Sequence, residues 1–208
     1  MSLITLSQIP ARPITASLAR ITLSALMLTW LSACVLPPDR LAGDAPPPVV
    51  QNVDLERYAG RWFEIARYDV SFQRGCEGVT AQYRPLEDGE IEVINACRKG
   101  GLDGEVDTIT GRARVVDGSG GAKLKVSFFG PFFLGDYWVI DLAEDYSWAV
   151  VSEPRGRFLW ILSRTPQMEE AVLANRLTWL AAQGYDTQAL RFTQQWDSVE
   201  DAPEPAEG

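Results

Sequence analysis

The sequence predicts an all-β protein, an eight-stranded up-and-down antiparallel barrel with one C-terminal α-helix packed outside it. Three observations support this prediction. Short segments of alternating apolar and polar residues recur between residues 60 and 164, separated by turns rich in glycine, proline and aspartate. A single helical pattern follows the last segment. A large aromatic, Trp62, opens the first segment just after Gly60, as expected of a plug at one end of a barrel.

The predicted strands follow from the period-2 alternation of apolar residues. In the first, Trp62, Glu64, Ala66 and Tyr68 share one face. Asp88-Gly89 is a hairpin signal between the second and third segments. The eight predicted strands cover residues 62–68, 79–86, 90–97, 106–116, 123–129, 135–142, 147–152 and 157–164, and residues 190–195 form a possible ninth.

The helical pattern begins at Thr165, which is suited to cap a helix whose first turn holds Pro166. Gly184 ends the helix. Its polar side is not basic, so we expect its apolar stripe to dock on the barrel rather than on a membrane.

Composition excludes several classes of function. The 208 residues carry a net charge of −9, which argues against nucleic-acid binding because that requires a basic surface. The sequence has no histidine, the commonest general base and metal ligand, so hydrolases built on Ser-His-Asp or Cys-His are excluded. Three cysteines are too few for a structural zinc site. We therefore expect no metal, no cofactor and no nucleic-acid partner.

The pattern of the first 33 residues predicts a lipoprotein signal peptide. Arg12 and Arg20 precede the apolar run 21–31, which is too short to span a membrane. Leu31-Ser32-Ala33-Cys34 resembles the bacterial lipobox, which predicts acylation of Cys34. By resemblance to enterobacterial lipoproteins, Val35 after the cysteine favours the outer membrane, with the domain in the periplasm. The alternatives are an ordinary secretory signal and retention at the inner membrane.

The rest of the chain divides by composition. Residues 34–51 contain five prolines and are predicted to form an extended, lipidated tether. Residues 52–196 form the predicted barrel domain, and residues 197–208 an acidic, disordered tail. Cys76 and Cys97 remain in the domain, where an oxidising periplasm would allow a disulfide; two buried thiols are the alternative.

Three motifs in order resemble those of the lipocalin family: Gly60-Arg61-Trp62, Gly135-Asp136-Tyr137, and Arg164 within residues 159–166. Residues 68–75 and 124–132 resemble the bacterial outer-membrane subgroup, which is related to apolipoprotein D. The resemblance implies the barrel fold and a guanidinium–indole contact between Arg164 and Trp62 that closes the base of the barrel.

Alternation predicts which side chains line a ligand cavity. We expect Tyr137 and Asn95 near the mouth, where they could bind a head group, and room beside Ala66 and Gly111. Glu64 faces inward or lies at the closed end. The predicted ligand-contacting residues are Tyr83, Val93, Asn95, Ala113, Phe128, Tyr137, Val139 and Trp160.

The resemblance implies that the protein binds, stores or transports a hydrophobic ligand, a fatty acid or lysophospholipid, at the cell envelope. The alternative is an enzyme of the same shape, an isomerase or de-epoxidase, with Glu64 and Tyr137 as acid–base groups. A third possibility is a structural protein whose uncharged loop 128–133 docks a membrane or a partner, including a second copy in a homodimer, unless Phe128, Phe132 and Phe133 pack in the barrel wall.

Overall fold

The computed structural model describes residues 45–203. The predicted signal peptide and Cys34 therefore lie outside the described residues. The elements, in chain order, are α1 (Leu55–Tyr58), β1 (Gly60–Tyr68), β2 (Cys76–Pro85), β3 (Ile91–Lys99), β4 (Val106–Val115), β5 (Lys123–Ser127), β6 (Gly135–Leu142), β7 (Trp148–Ser152), β8 (Leu159–Ser163), α2 (Glu170–Ala182) and β9 (Leu190–Phe192).

The strands form a closed antiparallel barrel, which confirms the predicted fold class. Each strand from β2 to β8 pairs with the next, β8 pairs with β1, and β1 returns to pair with β2. Because the strands alternate in direction, the loops after β1, β3, β5 and β7 lie at one end, which we call the open end. Helix α1 enters β1 at the other end, which we call the closed end. Strand β9 pairs with β1 but is not one of the eight strands that close the barrel.

Helix α2 packs on the outside of the barrel, as predicted. Its Leu180 is fully buried in a cluster with Ile140, Val150 and Ile161 of the barrel wall. The helix begins at Glu170 rather than at Thr165, because the Thr165 hydroxyl donates to the Gln167 carbonyl and caps no helical amide. It ends as predicted, at Gly184 with φ of +88°.

A β-bulge in β1 changes the predicted alternation. Glu64 lies opposite Leu162 of β8, and Ala66 lies opposite the adjacent Ile161, so Ile65 is an extra residue. Beyond the bulge, Ala66 joins the outer cluster beneath α2. Arg67 lies opposite Trp160 on the inner side. The prediction that Ala66 faces inward is therefore wrong, because strict alternation does not allow for an inserted residue.

Hydrogen bonds to the barrel extend beyond both ends of the predicted domain. The Val50 amide donates to the Val139 carbonyl at 3.1 Å, so the last residues of the predicted tether lie along the barrel. In the predicted tail, the Pro203 carbonyl accepts from Arg61 Nη1 at 2.8 Å. Residues 204–208 lie outside the described residues. Within residues 45–203, no helix is both long and apolar enough to span a bilayer.

Candidate ligand-binding site inside the barrel

The closed end is sealed by Trp62 and Arg164. The Trp62 side chain is fully buried, and the Arg164 guanidinium carbon lies 3.8 Å from the centroid of its ring. Arg164 also donates to the Arg61 carbonyl at 2.8 Å and to the Arg57 carbonyl at 2.7 Å. The Trp62 indole N–H donates to the Tyr58 carbonyl at 2.8 Å, which ties α1 to the plug. The pair proposed from the family resemblance is therefore in contact.

Asp136 is not part of this closure. Its carboxylate pairs with Lys125 Nζ at 2.7 Å on the neighbouring strand, and its strand begins at the open end. The aspartate–tyrosine pair beside a strand turn at the closed end is Asp145-Tyr146, in the β6–β7 connection. The sequence contains two such pairs nine residues apart, and only the second accepts a hydrogen bond from Arg164 among the described residues.

Tyr146 has the contacts expected of a closing residue. Its hydroxyl accepts from the Asp54 amide at 2.9 Å, and its carbonyl accepts from Arg164 Nε at 3.4 Å. The Arg57 guanidinium carbon lies 4.0 Å from its ring centroid. The Asp145 carboxylate accepts from the Ser147 amide and hydroxyl, a turn signal that the sequence already carried.

All eight predicted ligand-contacting residues lie on the inner side of the barrel, but their exposure differs with depth. Seven belong to the inner apolar cluster, and Asn95 lies opposite Ala81, which packs against that cluster. The buried members are Tyr83, Val93, Ala113 and Val139, and the partly exposed members are Asn95, Phe128, Tyr137 and Trp160. Ile109, opposite Asn95 in β4, is 39% exposed. The inner surface is therefore packed toward the closed end and accessible toward the open end.

Phe128 occupies the room predicted beside Gly111. A Cβ atom at Gly111 would lie 2.5 Å from Phe128 Cδ1 and 2.5 Å from the Ser127 carbonyl oxygen. The glycine therefore admits the Phe128 ring rather than a ligand. This aromatic narrows the interior between β4 and β5.

Three tyrosine hydroxyls meet in the lower half of the interior. The Tyr58 and Tyr137 oxygens are 2.7 Å apart, and the Tyr83 hydroxyl donates to Tyr137 at 2.9 Å. We call Tyr58, Tyr83 and Tyr137 the tyrosine cluster. Tyr137 was predicted near the mouth, but its hydroxyl reaches this cluster instead. Tyr58 was missed, although it stands only two residues before Gly60 in the opening segment.

The environment keeps the tyrosine cluster protonated. Burial raises the pKa of Tyr83 to about 12. Burial also raises the pKa of Tyr58 well above its ordinary value, and the same cause, together with the neighbouring Tyr58 and Tyr83, raises that of Tyr137. The three groups are therefore neutral hydrogen-bond donors at physiological pH.

Glu64 belongs to a separate buried network beside the open half of β1. Its Oε1 accepts from Arg67 Nη1 at 2.6 Å and from the Thr193 hydroxyl at 2.5 Å, and its Oε2 accepts from Gln73 Nε2 at 2.8 Å. Gln73 Oε1 in turn accepts from the Trp160 indole N–H at 3.0 Å. Both Glu64 oxygens are thus occupied by protein donors, and Glu64 and Tyr137 belong to different hydrogen-bond networks. No acid–base pair of the kind the enzyme alternative needs is formed by these two groups.

Cys76 and Cys97 lie on the adjacent strands β2 and β3. Their sulfur atoms are bonded at 2.06 Å, with Cα atoms 5.4 Å apart. Both side chains are buried with Val79. The bond ties the open-end half of β2 to that of β3.

The loop after β5 exposes apolar side chains at the open end. Phe129 is 82% exposed, Phe132 68% and Leu134 81%. Phe133 instead lies beneath Arg114, whose guanidinium carbon is 4.0 Å from the ring centroid. Phe128 and Phe133 thus pack against the barrel, as the simpler alternative required, whereas Phe132 does not.

Comparison with known proteins agrees with this fold. The sequence profile of the family described as Lipocalin-like domain matches residues 53–195. The chain is 44% identical to outer membrane lipoprotein Blc of Vibrio cholerae over 149 residues, covering 70% of this chain and 85% of that protein. It is 42% identical to Blc of Escherichia coli K12 over 147 residues, covering 71% and 82%.

Solved structures provide an independent comparison of the fold. Insecticyanin of the tobacco hornworm superposes with a TM-score of 0.59 at 18% identity, covering 77% of this chain and 88% of that one. At such identity the likeness concerns the fold alone. Taken with the profile match and the relatives, these observations establish that the chain is a member of the lipocalin family.

Proposed function

We propose that this lipocalin binds and carries a single-chain lipid, a fatty acid or lysophospholipid, in its barrel. Lipocalins bind small hydrophobic ligands generally, and this chain is similar to Blc over most of its folded domain. The observation that supports the proposal is the graded exposure of the inner face. Apolar side chains such as Ile109 and Phe128 are accessible from the open end, while Trp62 seals the other end. Each methylene buried there contributes about 0.8 kcal/mol before ordering costs.

The proposed place of action is the bacterial outer membrane, with the domain in the periplasm. Relatives at 42% to 44% identity are named outer membrane lipoproteins. The lipobox-like segment ending in Cys34 supports acylation, and acyl chains on one residue would hold the chain at a bilayer. The anchor and the barrel together suit the protein to lipids that leave or enter that membrane.

The rim of the barrel supports contact with the lipid surface. Phe129, Phe132 and Leu134 follow β5, and Phe72, which is 63% exposed, follows β1, so the exposed apolar groups lie on two loops of the open end. Phe72 lies 6.1 Å from the Phe158 ring in the loop after β7. We propose that these loops touch the bilayer while a ligand passes the mouth.

Displacement of a fluorescent fatty acid from the delipidated protein tests the carrier proposal. The wild type should bind the probe saturably and release it to unlabelled fatty acid. Ile109→Glu places a charge on the accessible inner face and should weaken binding about tenfold or more, since a bound hydrocarbon chain would bury this charge without a partner. Thr108→Glu adds the same charge to the adjacent residue, which is exposed on the other face of β4, and should bind normally.

The outcomes separate cleanly. Absence of saturable binding by the delipidated wild type would refute the carrier proposal. Equal weakening by Ile109→Glu and Thr108→Glu would place the ligand outside the barrel. The enzyme alternative needs Glu64 and Tyr137 to act together as acid and base. These residues belong to separate hydrogen-bond networks, which favours ligand binding without catalysis.

A further inference from the structure

We propose that the tyrosine cluster is the binding site for the polar end of the ligand, so that a free fatty acid enters carboxyl first. This inference rests on the proposed function and adds an orientation and a head-group class to it. The ligand would place its carboxylate against Tyr137 and its hydrocarbon tail toward the open end.

Counting protons shows that the cluster has one unused donor. Three hydroxyls supply three O–H protons, and the two contacts of the cluster, 2.7 Å and 2.9 Å, use two of them. Among the described residues, no further hydrogen-bond partner is available to these hydroxyls. When Tyr58 and Tyr83 both donate to Tyr137, the Tyr137 proton remains free.

Residue exposure distinguishes Tyr137 from the other two members of the cluster. Tyr58 is 3% exposed and Tyr83 5% exposed, whereas Tyr137 is partly exposed on the inner side of β6. A ligand that extends from the mouth therefore meets the Tyr137 side chain before the other two. The cluster offers one strong donor at the end of an otherwise apolar path.

The charge behind the cluster favours an anion. Arg164 donates to the carbonyls of Arg57, Tyr58, Arg61 and Tyr146, and within residues 45–203 it pairs with no carboxylate. Its Nη2 lies 3.1 Å from the carbonyl oxygen of Tyr58, a member of the cluster. Because this cation is not compensated by a carboxylate, its charge favours a negative head group at the cluster over a neutral one.

The narrow interior restricts which head group can reach the cluster. The Phe128 ring fills the space over Gly111, and Trp160 is held toward the interior by its bond to Gln73. A carboxylate is little wider than the chain that carries it. The phosphocholine group of a lysophospholipid is much bulkier, so we expect it to stay at the mouth.

Binding of two ligands with the same hexadecanoyl chain, palmitate and palmitoyl-lysophosphatidylcholine, tests the inference on the delipidated full chain. Tyr137→Phe should weaken palmitate binding about ten- to hundredfold, the loss of one hydrogen bond to a charged group. It should leave the lysophospholipid affinity unchanged. Tyr185→Phe is the matched control, because its hydroxyl donates to Ser152 and its ring lies in the outer cluster, away from the interior. This variant should bind both ligands as the wild type does.

A second measurement needs no variant. The 13C resonance of carboxyl-labelled palmitate bound to the wild type should not follow the titration of the acid in water, because the carboxyl group lies deep in the barrel. A resonance that titrates as in water, or equal palmitate affinity of Tyr137→Phe and Tyr185→Phe, would overturn the orientation while leaving the carrier proposal intact. Failure of the wild type to bind either ligand would instead refute the carrier proposal itself.

Discussion

Arg164 stacks on Trp62 with its guanidinium carbon 3.8 Å from the ring centroid, and the same group donates to backbone carbonyls of α1 and β1. One side chain thus joins β8, α1 and the first strand at the closed end of the barrel. The contact lies on the far side of Trp62 from the interior, so its role is in stability rather than ligand contact.

Arg164→Ala should lower the free energy of unfolding by about 2–3 kcal/mol. It removes a cation–π contact worth about 0.5–2 kcal/mol and several hydrogen bonds, some of which water can replace. Thermal denaturation checks this, with Arg155→Ala, an exposed arginine in the loop after β7, as the control. An unchanged melting temperature for Arg164→Ala would contradict the structural role.

Arg67→Met should lower the free energy of unfolding further, by about 3–5 kcal/mol, because it leaves the Glu64 carboxylate buried without its cation. The two side chains are 0% and 3% exposed. The double variant Arg67→Met/Glu64→Leu should recover much of the loss, since no uncompensated charge remains. Urea unfolding of these two variants and of Glu64→Leu alone measures this coupling, and purely additive effects would rule it out.

The disulfide should raise the free energy of unfolding by about 3 kcal/mol, the value expected for a closed loop of about 20 residues. Cys76→Ala/Cys97→Ala removes it without leaving a thiol, and guanidinium unfolding measures the difference. Thiol counting on the denatured, unreduced protein provides the check. Two reactive thiols in addition to that of Cys34 would show that the bond is absent from the isolated protein.

The tyrosine cluster predicts loss of stability at alkaline pH. The pKa of Tyr83 is about 12 in the folded protein, against an ordinary value of 10.0. Because the folded state favours the protonated form, this stabilisation is complete below pH 10 and is lost as the pH rises toward about 12. Melting temperatures across this range should fall less steeply for Tyr83→Phe than for the wild type. Parallel curves would indicate that Tyr83 ionises as freely in the folded protein as in the unfolded chain.

Phe129→Ser and Phe132→Ser should each weaken binding to phospholipid vesicles about tenfold or more, since burying one phenylalanine contributes about 1.5–3 kcal/mol. Flotation of the Cys34→Ser protein isolates this effect from the acyl anchor. Phe192→Ser alters a phenylalanine that is 53% exposed on β9 and serves as the control. A fall in molecular mass with unchanged flotation would assign the loop to a homodimer instead.

The sequence predicted those features that depend on local pattern. Strand β6 was predicted at residues 135–142 and begins and ends there, although a register shift against β7 between Val139 and Asp141 interrupts its alternation. The Trp62–Arg164 contact followed from the family resemblance. The sequence could not predict what fills the space beside Gly111. Alternation shows which face a residue occupies, but it does not show that the Phe128 ring lies against this glycine. The choice between Asp136 and Asp145 likewise depends on tertiary contacts that two similar dipeptides do not reveal.

The extra residue at Ile65 lets β1 place two consecutive side chains, Ile65 and Ala66, in the outer cluster beneath α2. Deleting Ile65 would not turn the residues that follow, because Ala66 already lies opposite Ile161 and Arg67 opposite Trp160, the pairing that a strand without a bulge would have. A single-codon deletion at this point would therefore remove one buried isoleucine from beneath the helix and leave the inner face of the strand unchanged.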